Sequence, residues 1–258
     1  MSATASRTFA EERRTSSVQV ADIAETFDVS SVTARADLDA LASAGKLRRT
    51  HGGAVSLHKR LTVSVQDQRI NVNVEAKQAI ARSAIGLVRD GDTVFVDSGT
   101  TALEFVRMLD VRSGVTVITA DITIADFIDE SLPGVTVIML GGELRQGHRY
   151  LFGPLTMAAL GALHADLAVI CPGAFVADRG FMTDFPQMAE IKTAAMGVAH
   201  SVARMDASKL NARGTYCFAQ LDAVDHIVVD QDEKGALSDA LSALPEGTRR
   251  PQLIIADQ

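Results

Sequence analysis

The sequence has no tryptophan, only two tyrosines and only two cysteines among 258 residues. With aromatics at 5% and apolar residues at 47%, any core must be built from aliphatic side chains. Cys171 and Cys217 stand alone with no C-x-x-C spacing, which excludes a disulfide framework and a thiolate metal site. They read as reduced packing residues of a cytoplasmic protein. No apolar run approaches the roughly 20 residues of a membrane span. The N-terminal stretch also lacks the continuous apolar core of an export signal. No membrane association, metal or cofactor is expected.

What the sequence does have is an uneven distribution of charge. The formal net charge is -7. Residues 1–60 hold nine Lys or Arg against seven Asp or Glu, a net of +2; residues 61–258 hold sixteen against twenty-five, a net of -9. The length allows one large or two ordinary domains, and the charge split favours two. An acidic body with a basic head would be repelled by a polyanion everywhere except at the head.

The basic head centres on residues 29–55. Val32, Leu38 and Leu41 are apolar positions among alanines, and the step from Leu38 to Leu41 is helical. Ser30 or Ser31 suits the helix start, and Gly45 suits its end. Ser31, Thr33 and Arg35 keep the N-terminal end polar, the end at which a recognition helix meets bases. Lys46-Leu47-Arg48-Arg49-Thr50, a Gly52-Gly53 turn and Ala54-Val55 then read as a two-stranded wing. Between Ala40 and Gln66 there are five Lys or Arg and no acid. A solvated basic hairpin would have such a run too, but a run joined to a capped helix and a glycine wing points to double-stranded DNA.

The second half alternates β-branched runs with helical segments. Thr93-Val94-Phe95-Val96, Val115-Thr116-Val117-Ile118, Val135-Thr136-Val137-Ile138 and Leu167-Ala168-Val169-Ile170 are continuous apolar strands, which predicts a mostly parallel α/β sheet covered on both faces. Ligands of such sheets bind beyond the carboxyl ends of the strands. After the first run comes Asp97-Ser98-Gly99-Thr100-Thr101 at a helix start, where amides and hydroxyls suit a phosphate. After the third comes Gly141-Gly142-Glu143-Leu144-Arg145, followed by His148 and Arg149. Residues 251–255 read as a last strand, either completing the sheet or pairing across an interface.

Two motifs at the expected separation carry a family resemblance. Thr33-Ala34-Arg35-Ala36-Asp37-Leu38 and Arg49-Thr50-His51-Gly52-Gly53-Ala54 resemble the winged helix-turn-helix head of the DeoR family of bacterial transcriptional regulators. Where the family usually has two adjacent arginines, this chain has Arg35 and Ala36. The resemblance implies DNA contacts from Ser31, Thr33, Arg35, Lys46, Arg48, Arg49, His51 and Gly52. It also implies a first helix before Val18-Gln19-Val20, and roughly ten residues of that helix are missing here. Their loss predicts exposure of Ile23, Phe27 and Leu38, or a shortened substitute from Thr8 to Arg14.

From about Glu75 to Asp230 the chain is similar to the DeoR family's C-terminal sensor domain, whose fold is similar to ribose-5-phosphate isomerase. By that resemblance Ser98, Gly99, Thr100 and Thr101 hold the phosphate of a sugar effector, with Lys209 as countercharge. Asp97, Gly141, Glu190 and Lys192 would face the sugar, and Gly142 and Arg145 join the site from the glycine loop's place at an equivalent strand end. Ala120, Leu210-Asn211 and Val229 depart from the family's usual residues. The implied organisation is a head over residues 1–57, a linker over 58–73 and a sensor over 74–258. The implied function is a homo-oligomeric repressor of a sugar-metabolism operon, released by a phosphorylated sugar. The alternatives are a sensor whose reading head has failed and a phosphosugar isomerase-like enzyme. Against the enzyme, Ile170-Cys171-Pro172-Gly173-Ala174 lacks the lysine those isomerases carry at the equivalent place.

Overall fold

The computed structural model describes residues 17–43, 47–50, 52–56 and 69–256. The expectations for Thr8 to Arg14, Gly45, Lys46 and His51 fall outside them. Two compact units divide the chain, Met1–Val63 and Ser64–Gln258.

In the first unit β1 (Ser17–Gln19) leads into α1 (Val20–Thr26), then α2 (Ser31–Ser43), β2 (Leu47–Thr50) and β3 (Gly53–Ser56). Ser30 caps α2: its Oγ accepts the amide of Thr33 at 3.0 Å. The strands β2 and β3 pair antiparallel, with Thr50 opposite Gly53, and β1 adds to the other side of β3. This is a wing closed by a tight turn in which Gly52 has φ +98°. The core is small: Val20, Ile23, Ala34, Leu38, Leu41, Leu47 and Ala54 pack together. Two sequence expectations are corrected here. Ile23 and Leu38 are buried and Phe27 is half-buried rather than exposed; the alternative of a substitute from Thr8 to Arg14 lies outside the described residues. Val32 is not a core position; it is 70% exposed, and Ala34 takes its place.

The second unit is built on a seven-stranded parallel sheet, ordered β15-β14-β12-β9-β4-β5-β6. Its strands are β4 (Thr93–Val96), β5 (Thr116–Thr119), β6 (Thr136–Met139), β9 (Leu167–Ile170), β12 (His200–Met205), β14 (His226–Val229) and β15 (Gln252–Ile255). Alternate strand residues feed two cores. Val94, Val96, Val117, Val169, Val202 and Val228 meet α3 (Val74–Ile85), α4 (Thr100–Val106) and α5 (Ile122–Ser131). Phe95, Ile118, Ala168, Ile170, Ala203 and Ile227 meet α6 (Pro154–Gly161), α7 (Pro186–Gly197) and α8 (Ala236–Ser242). Both faces are therefore covered over the central strands, as the apolar runs predicted, but the run at β6 forms an edge strand on which Ile138 and Met139 are exposed. The last strand, β15, pairs with β14 at one edge of the sheet.

A hairpin of β7 (Glu143–Arg145) and β8 (Tyr150–Phe152) and a small antiparallel sheet of β10 (Ala174–Val176), β11 (Gly180–Thr183) and β13 (Tyr216–Ala219) are added to this frame. Among the described residues, no helix is long and apolar enough to cross a membrane.

Candidate functional site

The chain runs outward from β4 through β5 to β6, then returns to the other side of β4 and runs through β9, β12 and β14 to β15. The strand order therefore reverses between β4 and β9, and parallel sheets open a crevice beyond the strand ends at such a reversal. A cavity of about 350 Å³ lies there, lined by Ser98, Gly99, Thr100 and Thr101 after β4 and by Cys171, Pro172 and Gly173 after β9. Among its lining residues are five Lys or Arg, namely Arg69, Lys77, Arg145, Lys192 and Lys209, against Asp184 and Asp206. The rest of the unit is acidic, so this is a local cationic pocket, of a size suited to a small anionic metabolite.

One of these lining cations, Lys192, belongs to a buried ion pair whose partner, Asp97, lies beneath the cavity. Lys192 lies on the inward face of α7 with Met188, Ile191 and Ala195, and donates its ammonium to Asp97 Oδ2 and, at 2.9 Å, to the Cys171 carbonyl. Asp97 also accepts the amides of Ser98 at 2.7 Å and Cys171 at 2.8 Å. The carboxylate therefore ties the ends of β4 and β9 together and is fully hydrogen-bonded, the condition for burying a charge. A second carboxylate does the same one strand over. Asp121 caps α5 through the amides of Thr123 and Ile124 and also accepts the Gly99 amide at 3.1 Å.

These two acids revise the phosphate expectation. The Ser98 and Gly99 amides, expected to face a ligand, are taken by Asp97 and Asp121, and α4 has only seven residues. What the loop offers the cavity is the side chains of Ser98, Thr100 and Thr101. Asp97 itself is a support beneath the cavity, 1% exposed. Gly141, Gly142 and Glu190 do not line the cavity. The Gly141 carbonyl accepts the Thr156 hydroxyl at 2.6 Å. A side chain on Gly142, at φ +144°, would collide with Thr156 Oγ1 and the Phe152 carbonyl. Glu190 is exposed, off the buried stripe of α7.

The hairpin wall is aromatic and cationic. Arg145 lies 3.9 Å over the Phe185 ring and donates to the Tyr150 hydroxyl. Burial, eased by that bond, pushes the Tyr150 hydroxyl up to about 12, so it stays neutral. His148 stands edge-on to Tyr150, and burial together with the Arg145 and Arg69 charges lowers its pKa.

On the opposite wall Asn73, in the left-handed region at φ 52°, donates to Asp206 Oδ1 at 3.0 Å. Burial works to raise the Asp206 pKa, but bonds from Ser208 and Asn73 and the Lys209 charge hold it below the usual carboxylate value. Lys77, 4% exposed, donates to the Arg69 carbonyl at 2.6 Å, and burial lowers its pKa. The sequence reading left out Arg69, Asn73, Lys77, Tyr150, Phe185 and Asp206 as ligand residues. Lys77 carried a signal: it shares the helical stripe of Ile80, Ala81 and Ala84, where an apolar residue belongs.

Beneath the floor, Arg204 is fully buried, its guanidinium 4.4 Å over Phe105 and 3.7 Å from Cys171 Sγ. Its Nε and Nη1 have no hydrogen-bond partner among the described residues. Burial raises the Cys171 thiol above its ordinary value, which makes it a packing group rather than a nucleophile. A neighbouring cavity of about 510 Å³ shares Asn73 and Asp206, but Asp206, Asp230 and Glu233 outnumber Lys234 on its walls. Its charge disfavours an anion.

In the first unit, Ser31, Thr33 and Arg35 are exposed at the N-terminal end of α2, away from the buried Ala34, Leu38 and Leu41. Arg49, expected at the DNA backbone, is engaged within the unit: Nε donates to Asp39 Oδ1 at 2.7 Å and Nη1 to the Gly53 carbonyl at 2.5 Å. It latches the wing onto α2. The Gly52 carbonyl accepts the Val20 amide at 2.8 Å, and Arg48 pairs through its backbone with Val55.

Comparisons with known proteins agree over both units. The DeoR-like helix-turn-helix domain matches residues 13–60, and the DeoR C terminal sensor domain matches residues 72–231. The chain is 32% identical over 230 residues to the transcriptional repressor AccR of Agrobacterium fabrum, covering 88% of this chain and 87% of that one. It is 31% identical over 222 residues to the HTH-type transcriptional regulator GolR of Listeria innocua, covering 85% and 87%. Among solved structures, ribose 5-phosphate isomerase A from Methanocaldococcus jannaschii aligns at a TM-score of 0.40 and 18% identity, over 54% of this chain and 55% of that one.

Proposed function

The chain belongs to the DeoR family of transcriptional regulators, and from that premise we propose that it is a repressor that a small phosphorylated sugar releases from operator DNA. The observation that carries the effector half is the excess of five cations over two acids around a cavity at the strand-order reversal of an otherwise acidic unit. In this reading Thr100 and Thr101, with Lys77, Arg69 and Lys209, hold the phosphate. Arg145, Tyr150 and His148 meet the other end of the effector, and the Asp97–Lys192 pair holds the two strand ends at the right separation. It is a regulator rather than an enzyme, and Cys171 and Pro172 occupy the loop where an isomerase of similar fold would need its lysine.

The proposed organisation is a reading head over residues 1–57, a connecting segment over 58–73 and a sensor over 74–258. Arg69 and Asn73 belong to the connecting segment and also line the cavity. Ligand contacts there would bias the placement of the head, which is all that release requires: tighter effector binding to one arrangement than to the other. Ser31, Thr33 and Arg35 are the proposed base-reading residues, with Lys46, Arg48 and His51 near the backbone. Two such heads on a symmetric operator would multiply weak contacts, so the working form is a homo-oligomer.

The test is a titration of the full chain onto DNA from its own upstream region, with and without a panel of phosphorylated sugars, at fixed salt. Tight binding that one sugar phosphate reverses is expected, and Thr100→Glu should remove the response while leaving DNA binding intact. Binding that none of the sugars alters would sink the effector reading. Arg35→Ala should weaken the preferred site more than random duplex; equal losses would demote Arg35 to a phosphate contact.

A further inference from the structure

On the outward face of α2 the residues opposite the core are apolar. The buried positions are Ala34, Leu38 and Leu41. At 100° per residue, the direction facing away from them passes through Val32 and Ala36, one helical turn apart. Val32 is 70% exposed and Ala36 is exposed. The flanks are polar, with Thr33 on one side and Arg35 on the other, and both are exposed. Single exposed valines are common on protein surfaces. This one stands at the crest of the helix's first turn, with a second small apolar side chain above it. A charged or long polar residue there would serve solubility better.

We propose that Val32, with Ala36 above it, reads thymine 5-methyl groups in the major groove. The inference rests on the operator-binding reading and extends it to a base class. The major-groove edge of an A·T pair is the one that presents a methyl group, and small apolar side chains are its natural contact. Four residues of helix rise about 6 Å, close to two base-pair steps, so the two side chains can meet neighbouring thymines. The surroundings fit a polyanion: the wing segment between Ala40 and Gln66 has five Lys or Arg and no acid. Arg35 would then supply the hydrogen-bonded contact beside the methyl contacts, and Thr33, whose hydroxyl is 2.9 Å from that of Ser30, is held against the cap.

The experiment uses the full chain. Duplexes selected from a random pool define the preferred site, and each thymine is then replaced in turn by deoxyuridine, which removes only the methyl group. At one or two thymines per half-site the unmodified protein should bind about fourfold more weakly, the value of one methyl taken out of water. Val32→Ser should bind the thymine site more weakly and be indifferent to uracil at that position. Ala36→Ser should behave likewise at a second position. Because both side chains are exposed, neither variant disturbs the core, and thermal melting verifies this. Indifference of the unmodified protein to every uracil overturns the inference while leaving DNA binding intact. A penalty at the Val32 position that survives in Val32→Ser also overturns it, and if that variant shifts the oligomeric state, the ridge belongs to a second copy of the chain. Failure to select any duplex removes the operator reading and this inference with it.

Discussion

The two units use charge in opposite ways. In the helix-turn-helix unit Arg35 is exposed and Arg49 is tied to the surface carboxylate of Asp39. The function proposed there depends on what the surface displays. In the sensor unit Asp97, Lys192, Asp206, Lys77 and Arg204 are all less than 5% exposed, and the proposed function depends on what is enclosed. A charge at the surface can be altered with little effect on folding. A buried charge supports the fold as well as the ligand, so its removal confounds the two unless they are measured separately.

The sharpest way to expose that difference is Asp97→Asn. It leaves the Lys192 ammonium buried without its counter-ion, and breaking a buried pair from one side costs about 3–5 kcal/mol. Urea or thermal unfolding should show this loss, a fall in melting temperature of roughly 10 °C for a unit of this size. Adding Lys192→Met should recover part of it. A loss below about 1 kcal/mol would mean that water reaches the pair and that enclosure is the wrong description. Next in size is Leu38→Ala, which removes one of only seven residues in the head's described core. About 2–5 kcal/mol is expected, enough to abolish DNA binding. Stabilisation of the sensor by its effector should be untouched. Loss of both would contradict the independence of the two cores.

The sequence was legible where a local rule decides the structure. Apolar runs marked β4 and β9, the Gly52-Gly53 turn marked the wing, and the hydroxyl before Thr33 marked the helix start. It was illegible where the fold assembles distant positions. Asn73 meets Asp206 across 133 residues and Lys192 meets Asp97 across 95, and no spacing rule spans such gaps. The Ser98 and Gly99 amides looked free because the carboxylates that take them lie at the preceding strand end and one strand away. Val32 was misjudged for a geometric reason: six residues from Leu38 is well off a whole number of turns, whereas Ala34, four residues away, shares its face.

A smaller effect separates a latch from a DNA contact. Arg49→Ala and Asp39→Ala should each destabilise the head slightly, and a double-mutant cycle should give a coupling of up to about 1 kcal/mol, since Asp39 is well exposed. The slope of log affinity against log salt should hardly change in Arg49→Ala. A decrease of about 0.9 in its magnitude would restore Arg49 to the phosphate backbone.

The smallest expected effect concerns His148, where the sensor's enclosure is partial. Burial and the nearby Arg145 and Arg69 charges lower its pKa, so in the free protein the imidazole is more than half neutral at its ordinary value of 6.5 and increasingly so above it. Below 6.5 the unfolded chain binds a proton that the folded one resists, so this residue contributes stability above that pH and loses it as pH falls. An anionic effector would reverse the local bias: its charge favours the imidazolium and offsets the two arginines. Compared with His148→Gln, effector binding should therefore take up an additional fraction of a proton below pH 6.5. This uptake is set against the proton that the effector's own phosphate, with a second pKa of about 6, releases among the cations. Calorimetry in two buffers of different ionisation heat measures the net uptake against pH, and His148→Gln should lack the additional fraction. An unchanged slope in the variant would mean that the phosphate held at Lys77, Arg69 and Lys209 does not act on the hairpin wall.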